Sequence, residues 1–473
     1  MDGDARLDEL SGLVGERGLV TDHAAMAPYL EDWRGLADGT AIAVARPATT
    51  EEVAAVVRWC AETGTAVVPQ GGVTGLVNAS APHGPRAVLV LSLDRMNRVV
   101  DVDPVTMTLT AEAGCILQAA QVAAAAEGLR LPLRIGAEGS ARLGGNLATN
   151  AGGNLTIRYG NTRELCLGLE VVLPDGRVLD ELKRLRKDNT GYDLKHLFIG
   201  AEGTLGVVTK ASLKLVPAPT QAATVFLALA DLDRVFDLLG RFRREAGDHL
   251  SVFELMPREL LDLVVKHMPG ARDPLAGRAE WYVLVEVETA QHQPDLEALV
   301  ADILGEAMEQ ELITDGVVAQ SEGQAAELRK LREQVSESQK VEGLSAKHDV
   351  AVPVDRVVDF IRAGEAAVAE IVPDARVIAF GHVGDGNVHF NAQCPADDPE
   401  APALRAAVPA LAERVHDLAV EMGGTFSAEH GVGRIKRATF ARHRPLKHAL
   451  GRELKAWLDP KGIMNPGVVF ADD

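Results

Sequence analysis

The chain has 473 residues, 47% hydrophobic and 25% charged, too long for one ordinary core and typical of a globular protein of two or three domains. A formal net charge of −20 argues against nucleic acid as a partner, because that binding rests on phosphate neutralisation by Lys and Arg. No apolar run reaches the roughly 18 residues of a membrane span, and the acidic start MDGDARLDELSG is unlike a signal or transit peptide, so a cytoplasmic protein that does not span a membrane is expected.

Residues 1–37 read as a helical lead-in. The stretch RPATTEEVAAVVRWCAETG then sets Thr49 three residues before Glu52, a capping box that opens a helix. TAVVPQGG reads as a strand running into a glycine-rich turn. From there to about residue 215 come the β runs AVLVLSL, TMTLTAEAG, LEVVLPDG and LGVVTKASLKLV, with one clear helix, ILQAAQVAAAAEGL. The texture changes at PAPTQAAT, residues 217–224, which is read as a domain boundary. Beyond it the strands TVFLALA, EWYVLVEVE, DGVVAQ, HDVAVPV and RVIAFG alternate with amphipathic helices, the pattern of an α+β domain on an antiparallel sheet. The tail is helical, with a Pro/Gly-rich finish, DPKGIMNPGVVF. Cys60, Cys115, Cys166 and Cys394 are far apart in sequence and read as buried free thiols in a reducing compartment.

Three loops of small residues share the first half. PQGGVTGLVNAS holds Gly71, Gly72, Thr74 and Gly75, whose backbone N–H groups can form an anion-binding nest. GAEGSARLGGNLATNAGGN holds Ser140, Asn146, Thr149 and Asn150, and AEGTLGVV repeats the character. Each alone reads as a tight turn; together they suit an extended, phosphate-bearing cofactor.

In GHVGDGNVHFN, two glycines between His382 and His389 exclude a helix. The turn Gly384-Asp385-Gly386-Asn387 predicts an antiparallel hairpin in which Val383 faces Val388 and His382 faces His389. Opposed residues share a face with Cβ atoms about 5 Å apart, a spacing for two imidazoles on one metal ion. The alternative for the pair alone is ordinary polar strand residues. TFSAEHGVGR offers Glu429 as a third ligand, and two imidazoles with one carboxylate favour Zn²⁺, with Mn²⁺ as the alternative. Arg332 and Ser336 are four residues apart, on one helical face, and Lys347 follows at the start of a strand. They read either as a solvated face or as the cationic pocket an acidic protein needs for a carboxylate substrate.

PQGGVTG, GGNLATNAGG, LRKDNTGYDLKHLFIGAEGTLGVVT, GHVGDGNVHFN, EHGVG and the terminal NPG together resemble the FAD-dependent D-2-hydroxyacid dehydrogenases of the vanillyl-alcohol-oxidase-type flavoproteins, over residues 38 to 470. The resemblance implies an α+β protein: a two-subdomain FAD-binding domain over 38–216, an α+β cap domain with an antiparallel sheet over 217–425, and a helical C-terminal segment, 426–473, that carries Glu429 and His430 and returns to the FAD domain. It implies that Gln70, Gly71, Gly72, Val73, Thr74, Gly75 and Leu76 bind the pyrophosphate. Pro132, Gly136, Ser140, Gly145, Asn146, Thr149, Asn150, Gly152, Glu202, Gly203, Val207 and Asn465 would hold the rest of the FAD. Val73 stands where relatives with covalent flavin carry histidine, so the FAD is expected to be non-covalent.

His382, His389 and Glu429 match the family's metal ligands, and His430 the residue that takes the substrate hydroxyl proton. Asn391 matches a substrate contact, and Arg332, Ser336 and Lys347 match the positions that hold the far carboxylate. The implied reaction is oxidation of D-2-hydroxyglutarate to 2-oxoglutarate by hydride transfer to flavin. An electron-transfer flavoprotein or a quinone would reoxidise the flavin, and a homodimer is expected. The branches acting on D-lactate or glycolate are the first alternative. A metal-dependent hydrolase, using the histidines and Glu429 to activate water, is the alternative of another class.

Overall fold

In the computed structural model, which describes residues 3–471 apart from 85, 87, 293, 294, 397, 399 and 400, the chain divides into two units. The first comprises Met1–Gly153, Gly160–Ala218 and Glu429–Asp473; the second comprises Asn154–Tyr159 and Pro219–Ala428.

Within the first unit, the strand Ala41–Ala45, the helix Thr50–Thr63 and the strand Ala66–Gln70 form a crossover, and Val88–Ser92 lies between the two strands, parallel to both. Thr49 caps the helix by accepting from the Glu52 backbone N–H, as its spacing predicts. The reciprocal bond from Glu52 goes one residue further back, to the N–H of Ala48 at 2.7 Å. The helical lead-in also contains a short strand, Leu19–Val20, on the edge of this sheet. A second, five-stranded antiparallel sheet runs Val99–Asp103, Thr108–Glu112, Val207–Lys214, Cys166–Val172, Val178–Glu181. All four cysteines are buried and free; burial pushes the thiols of Cys60 and Cys166 up to about 12.

The end of the chain is stitched into this unit. Val67 N–H donates to Ile463 O and Asn465 N–H donates to Val67 O, each at 2.8 Å. The Asn465 amide donates to Ala79 O at 2.9 Å and to Glu202 O at 2.7 Å, so one side chain ties together loops from three parts of the sequence.

The second unit is built on one seven-stranded sheet. Its order is Ile313–Val318, Gln221–Leu229, Trp281–Thr289, Leu250–Pro257, Arg376–His382, Asn387–Pro395, Gly343–Ala351, every neighbouring pair antiparallel. Alternation along the strands gives the sheet two apolar faces. Val225, Leu227, Phe253, Val285 and Phe390 bury one side beneath helices that include Val235–Glu245 and Val357–Ile371. Phe226, Met256, Tyr282, Leu284, Ile378 and Phe380 bury the other, beneath Arg258–His267 and Glu322–Glu333. The central strand Leu250–Pro257, which carries Glu254, has no counterpart among the strands read from the sequence.

Candidate active site

The second apolar face gives way, at one end of the sheet, to a polar island. Glu254, His382, His389, Asn391, Asp349 and Lys347 come from four adjacent strands and share one side by their register. The hairpin differs from its expected register. Phe380, not His382, pairs with His389, and His382 pairs with Glu254. The cause is a longer connection: Val383–Asp385 makes a turn of 3-10 helix and Gly386 leaves it at φ +84, where a Cβ would come within 2.1 Å of Val352 O. Because the slip is two residues, both imidazoles stay on one face. Their ring centroids are 5.8 Å apart.

Glu254 is the residue that sequence reasoning missed. Its side chain is fully buried, and it lies between two predicted site residues. One oxygen, Oε2, accepts from Arg332 Nε at 2.7 Å; the other, Oε1, abuts His382 Nδ1 in an ion-pair contact. Burial pushes the Glu254 carboxyl up, but Arg332 and then His382 outweigh it and hold the group well below the usual carboxylate range. Arg332 is further fixed by stacking, with its guanidinium carbon 5.0 Å from the centre of the Phe380 ring. Beside them, His389 Nδ1 lies 3.9 Å from Asp349 Oδ1, and Asn387 donates to the same oxygen at 3.0 Å.

Asn391 is buried on this face. Its amide donates to Gln339 Oε1 at 3.1 Å and accepts from the His348 backbone N–H at 3.3 Å, which locks the helix Val335–Glu342 to the sheet. Arg332 and Ser336 do not share one unbroken helix: Gln334 ends Glu322–Glu333 and precedes Val335–Glu342. Ser336 is exposed, whereas Arg332 is held by Glu254. Lys347 sits in the middle of Gly343–Ala351 rather than at its start, opposite Asn391.

In the first unit, Gln70 ends a parallel strand where the loop of residues 71–76 begins, the end of an α/β sheet at which ligands bind. Its amide donates to Tyr29 O at 2.8 Å and Ser80 O at 2.7 Å, which fixes the loop's root. A Cβ on Gly72 would come within 2.1 Å of Ser140 O, so this glycine lets the first small-residue loop lie against the second. Val73 has φ +55, a left-handed conformation that β-branched residues avoid.

The residues present fit an extended polar cofactor. Nothing lies within 4 Å of a Cβ placed on Gly75, Gly136 or Gly145, so backbone is open to close approach there. Among the described residues, Asn146 Oδ1 and Asn465 Oδ1 are buried polar atoms without a hydrogen-bond partner. Thr149 donates to Gly145 O at 3.0 Å, and Asn150 closes that helix at φ +53 while its Oδ1 accepts from Arg163 N–H at 2.9 Å. Pro132, Gly152 and Val207 are buried beside these loops in sequence, and Gly203 turns at φ +72.

Glu202 accepts from the N–H groups of Val432 and Gly433, each at 2.7 Å, and burial pushes its carboxyl up to about 7 against those two donors. Its side chain therefore holds the segment that follows Glu429 and His430, while its backbone N–H donates to Ala148 O at 2.8 Å and its carbonyl accepts from the Asn465 amide. Glu429 and His430 open the last stretch of the first unit, in a region without helix or strand.

The first unit brings two small-residue loops together and the second is built on an antiparallel sheet. Residues 41–181 match the family described as FAD binding domain, and residues 218–469 match FAD linked oxidases, C-terminal domain. The chain belongs to the FAD-linked oxidases, which removes the reading as a metal-dependent hydrolase. It groups there with D-2-hydroxyglutarate dehydrogenases. It is 37% identical to the mitochondrial enzyme of that name from Arabidopsis thaliana, over 96% of this chain and 79% of the relative. It is 39% identical to the mitochondrial enzyme from Bos taurus (97% and 82%) and 38% identical to the D-2-hydroxyglutarate dehydrogenase of the bacterium Xanthomonas citri pv. viticola (99% and 97%). Among solved structures, p-cresol methylhydroxylase with substrate bound has a TM-score of 0.76 over 99% of this chain and 97% of that one, at 17% identity, which bears on the fold alone. Among the described residues, no helix is long and apolar enough to cross a membrane.

Proposed function

We propose that this protein oxidises D-2-hydroxyglutarate to 2-oxoglutarate. The observation that carries the substrate is Arg332: a guanidinium held by a fully buried carboxylate, on the sheet face that presents His382 and His389. A diacid has a second carboxylate for that cation to bind; a monoacid such as D-lactate has none. Lys347 adds charge and Ser336 a hydroxyl at the same end, and Asn391 orients the substrate between the two ends.

His382, His389 and Glu429 would hold a divalent cation, Zn²⁺ in first place and Mn²⁺ in second, and the loops of residues 70–76, 132–152 and 202–207 with Asn465 would hold a dissociable FAD. When bound, the cation lowers the pKa of the substrate hydroxyl and the flavin supplies the two-electron acceptor. His430 takes the hydroxyl proton as general base. The donor set fits a borderline-soft cation, because two neutral imidazoles and one carboxylate leave positions open for a chelating hydroxy acid. Electron-transfer flavoprotein or a quinone as the final acceptor and a homodimer as the assembly follow from the family resemblance. Four buried free thiols support a reducing, cytoplasmic setting.

The test is anaerobic mixing of the purified protein with D-2-hydroxyglutarate, D-lactate, glycolate and their L counterparts, following bleaching of the flavin's visible band. Fast bleaching by D-2-hydroxyglutarate alone is expected, and R332A should lower kcat/KM on this diacid by about 100-fold or more, the scale of a lost buried charge pair, with far less effect on D-lactate. Preference for D-lactate or glycolate would move the protein to a neighbouring branch.

A further inference from the structure

Position 254 belongs to the apolar side of a central strand. Met256 follows it on the same face, and Leu284 is its register partner on the neighbouring strand. A hydrophobic residue would satisfy the packing there, since buried ion pairs are often replaced by apolar side chains of similar volume without loss of stability. The acid needs another reason, and its two contacts supply one. A single carboxylate touches one residue from each half of the proposed substrate site: Arg332 through Oε2 and His382 through Oε1.

Contact through Nδ1 leaves Nε2 as the nitrogen of His382 able to ligate, the arrangement in which an outer carboxylate fixes a ligand's ring and tautomer. Contact through Nε leaves the terminal amino groups of Arg332 as the fork for a carboxylate. Arg332 also stacks on Phe380, whose ring centroid lies 5.0 Å from that of His389, so the same face joins the guanidinium to the second imidazole.

We propose that Glu254 is a positioning residue that sets the spacing between the metal-ligating imidazole of His382 and the carboxylate-binding guanidinium of Arg332, and so selects diacids of one chain length. The inference rests on the substrate reading above and goes beyond it: Glu254 touches neither substrate nor cofactor. Because one carboxylate serves both partners, disturbing it moves two measurable quantities together, and neither partner's own variant does so by the same route.

The experiment compares E254Q and E254D with the wild-type holoenzyme. Zinc affinity is measured by competition with a chromogenic chelator, and kcat/KM is measured on D-2-hydroxyglutarate, D-lactate and D-2-hydroxyadipate, the diacid longer by one methylene. In E254Q the side-chain amide presents a donor to one of its two partners. Zinc affinity is expected to fall by about 10- to 100-fold, as for other residues that orient a metal-bound histidine. The preference for D-2-hydroxyglutarate over D-lactate is expected to fall at least about tenfold in the same variant.

E254D keeps the charge and so guards against a folding defect in E254Q. It is one methylene too short to reach both partners, and it should show the same paired loss in smaller measure, with its selectivity between the two diacids reduced. A folded variant that keeps either zinc affinity or diacid preference at the wild-type value overturns the proposal, because the shared carboxylate would then serve at most one partner. Failure of the underlying reading is visible separately: wild-type protein that takes up no zinc, or oxidises D-lactate as well as the diacid, overturns both.

Discussion

Replacing Glu202 with Gln should change how the stability of the first unit depends on pH. The carboxyl is buried, and burial pushes it from 4.5 to about 7, a difference equivalent to about 3 kcal/mol. The folded state thus keeps a proton that the unfolded chain releases. Stability is greatest below the unfolded value, falls as pH rises from about 4.5 to about 7, and is level above that. Gln carries no such proton, so the difference between E202Q and wild type should drift by about 3 kcal/mol in favour of the variant over this window. For a unit of this size that is about 6–12 °C in Tm. The assay is a series of thermal scans of both holoproteins from pH 4.5 to 8, read by flavin fluorescence as the cofactor leaves. Other titrating groups cancel in the difference between the two proteins. A difference that stays flat with pH would refute the reasoning, because the N–H groups of Val432 and Gly433 would then be holding Glu202 ionised throughout.

Val73 holds a β-branched side chain at φ +55, so V73G should raise Tm by relieving about 1–2 kcal/mol of backbone strain, and a lower Tm would count against that conformation. Gly72 and Gly75 should separate in flavin titrations of the apoprotein: G72A drives a Cβ to 2.1 Å from Ser140 O and should lose flavin, whereas G75A meets nothing within 4 Å and should lose affinity only if the cofactor itself occupies that space. H389A should lose bound zinc by atomic emission while keeping its yellow colour, because neither His389 nor its neighbours Asp349 and Phe380 are among the residues proposed to hold the FAD.

The elements written in the sequence with a strong local signal are present where expected. The Thr49 cap, the strands ending at Gln70 and beginning at Val207, and the helix from Leu117 each rest on a short pattern that tertiary context does not override. The strand Leu250–Pro257 escaped for a physical reason: every residue in it is buried, so it shows no alternation. Glu254 went unread with it, although an acid inside the apolar run SVFELMP is a signal that a buried partner exists. The break at Gln334 carries no Gly or Pro and could not be seen. The hairpin register depended on the length of one turn, which the dipeptides GD and GN leave open. Both histidines were nevertheless assigned to the correct face, since a slip of two preserves the parity of a strand.

Asn465 and the backbone pairing of Val67 with the end of the chain have a consequence for the order of synthesis. A ribosome delivers residues 219–428 in full while the first unit still lacks Glu429–Asp473. The cap sheet can therefore close on its own strands during translation. The loops of residues 67–80 and 202 wait for Asn465, 398 residues after Val67, the first of its partners, has emerged (465 − 67). The nascent first unit is thus an incomplete fold for most of translation, and the last contacts to form are among those that tie its small-residue loops together.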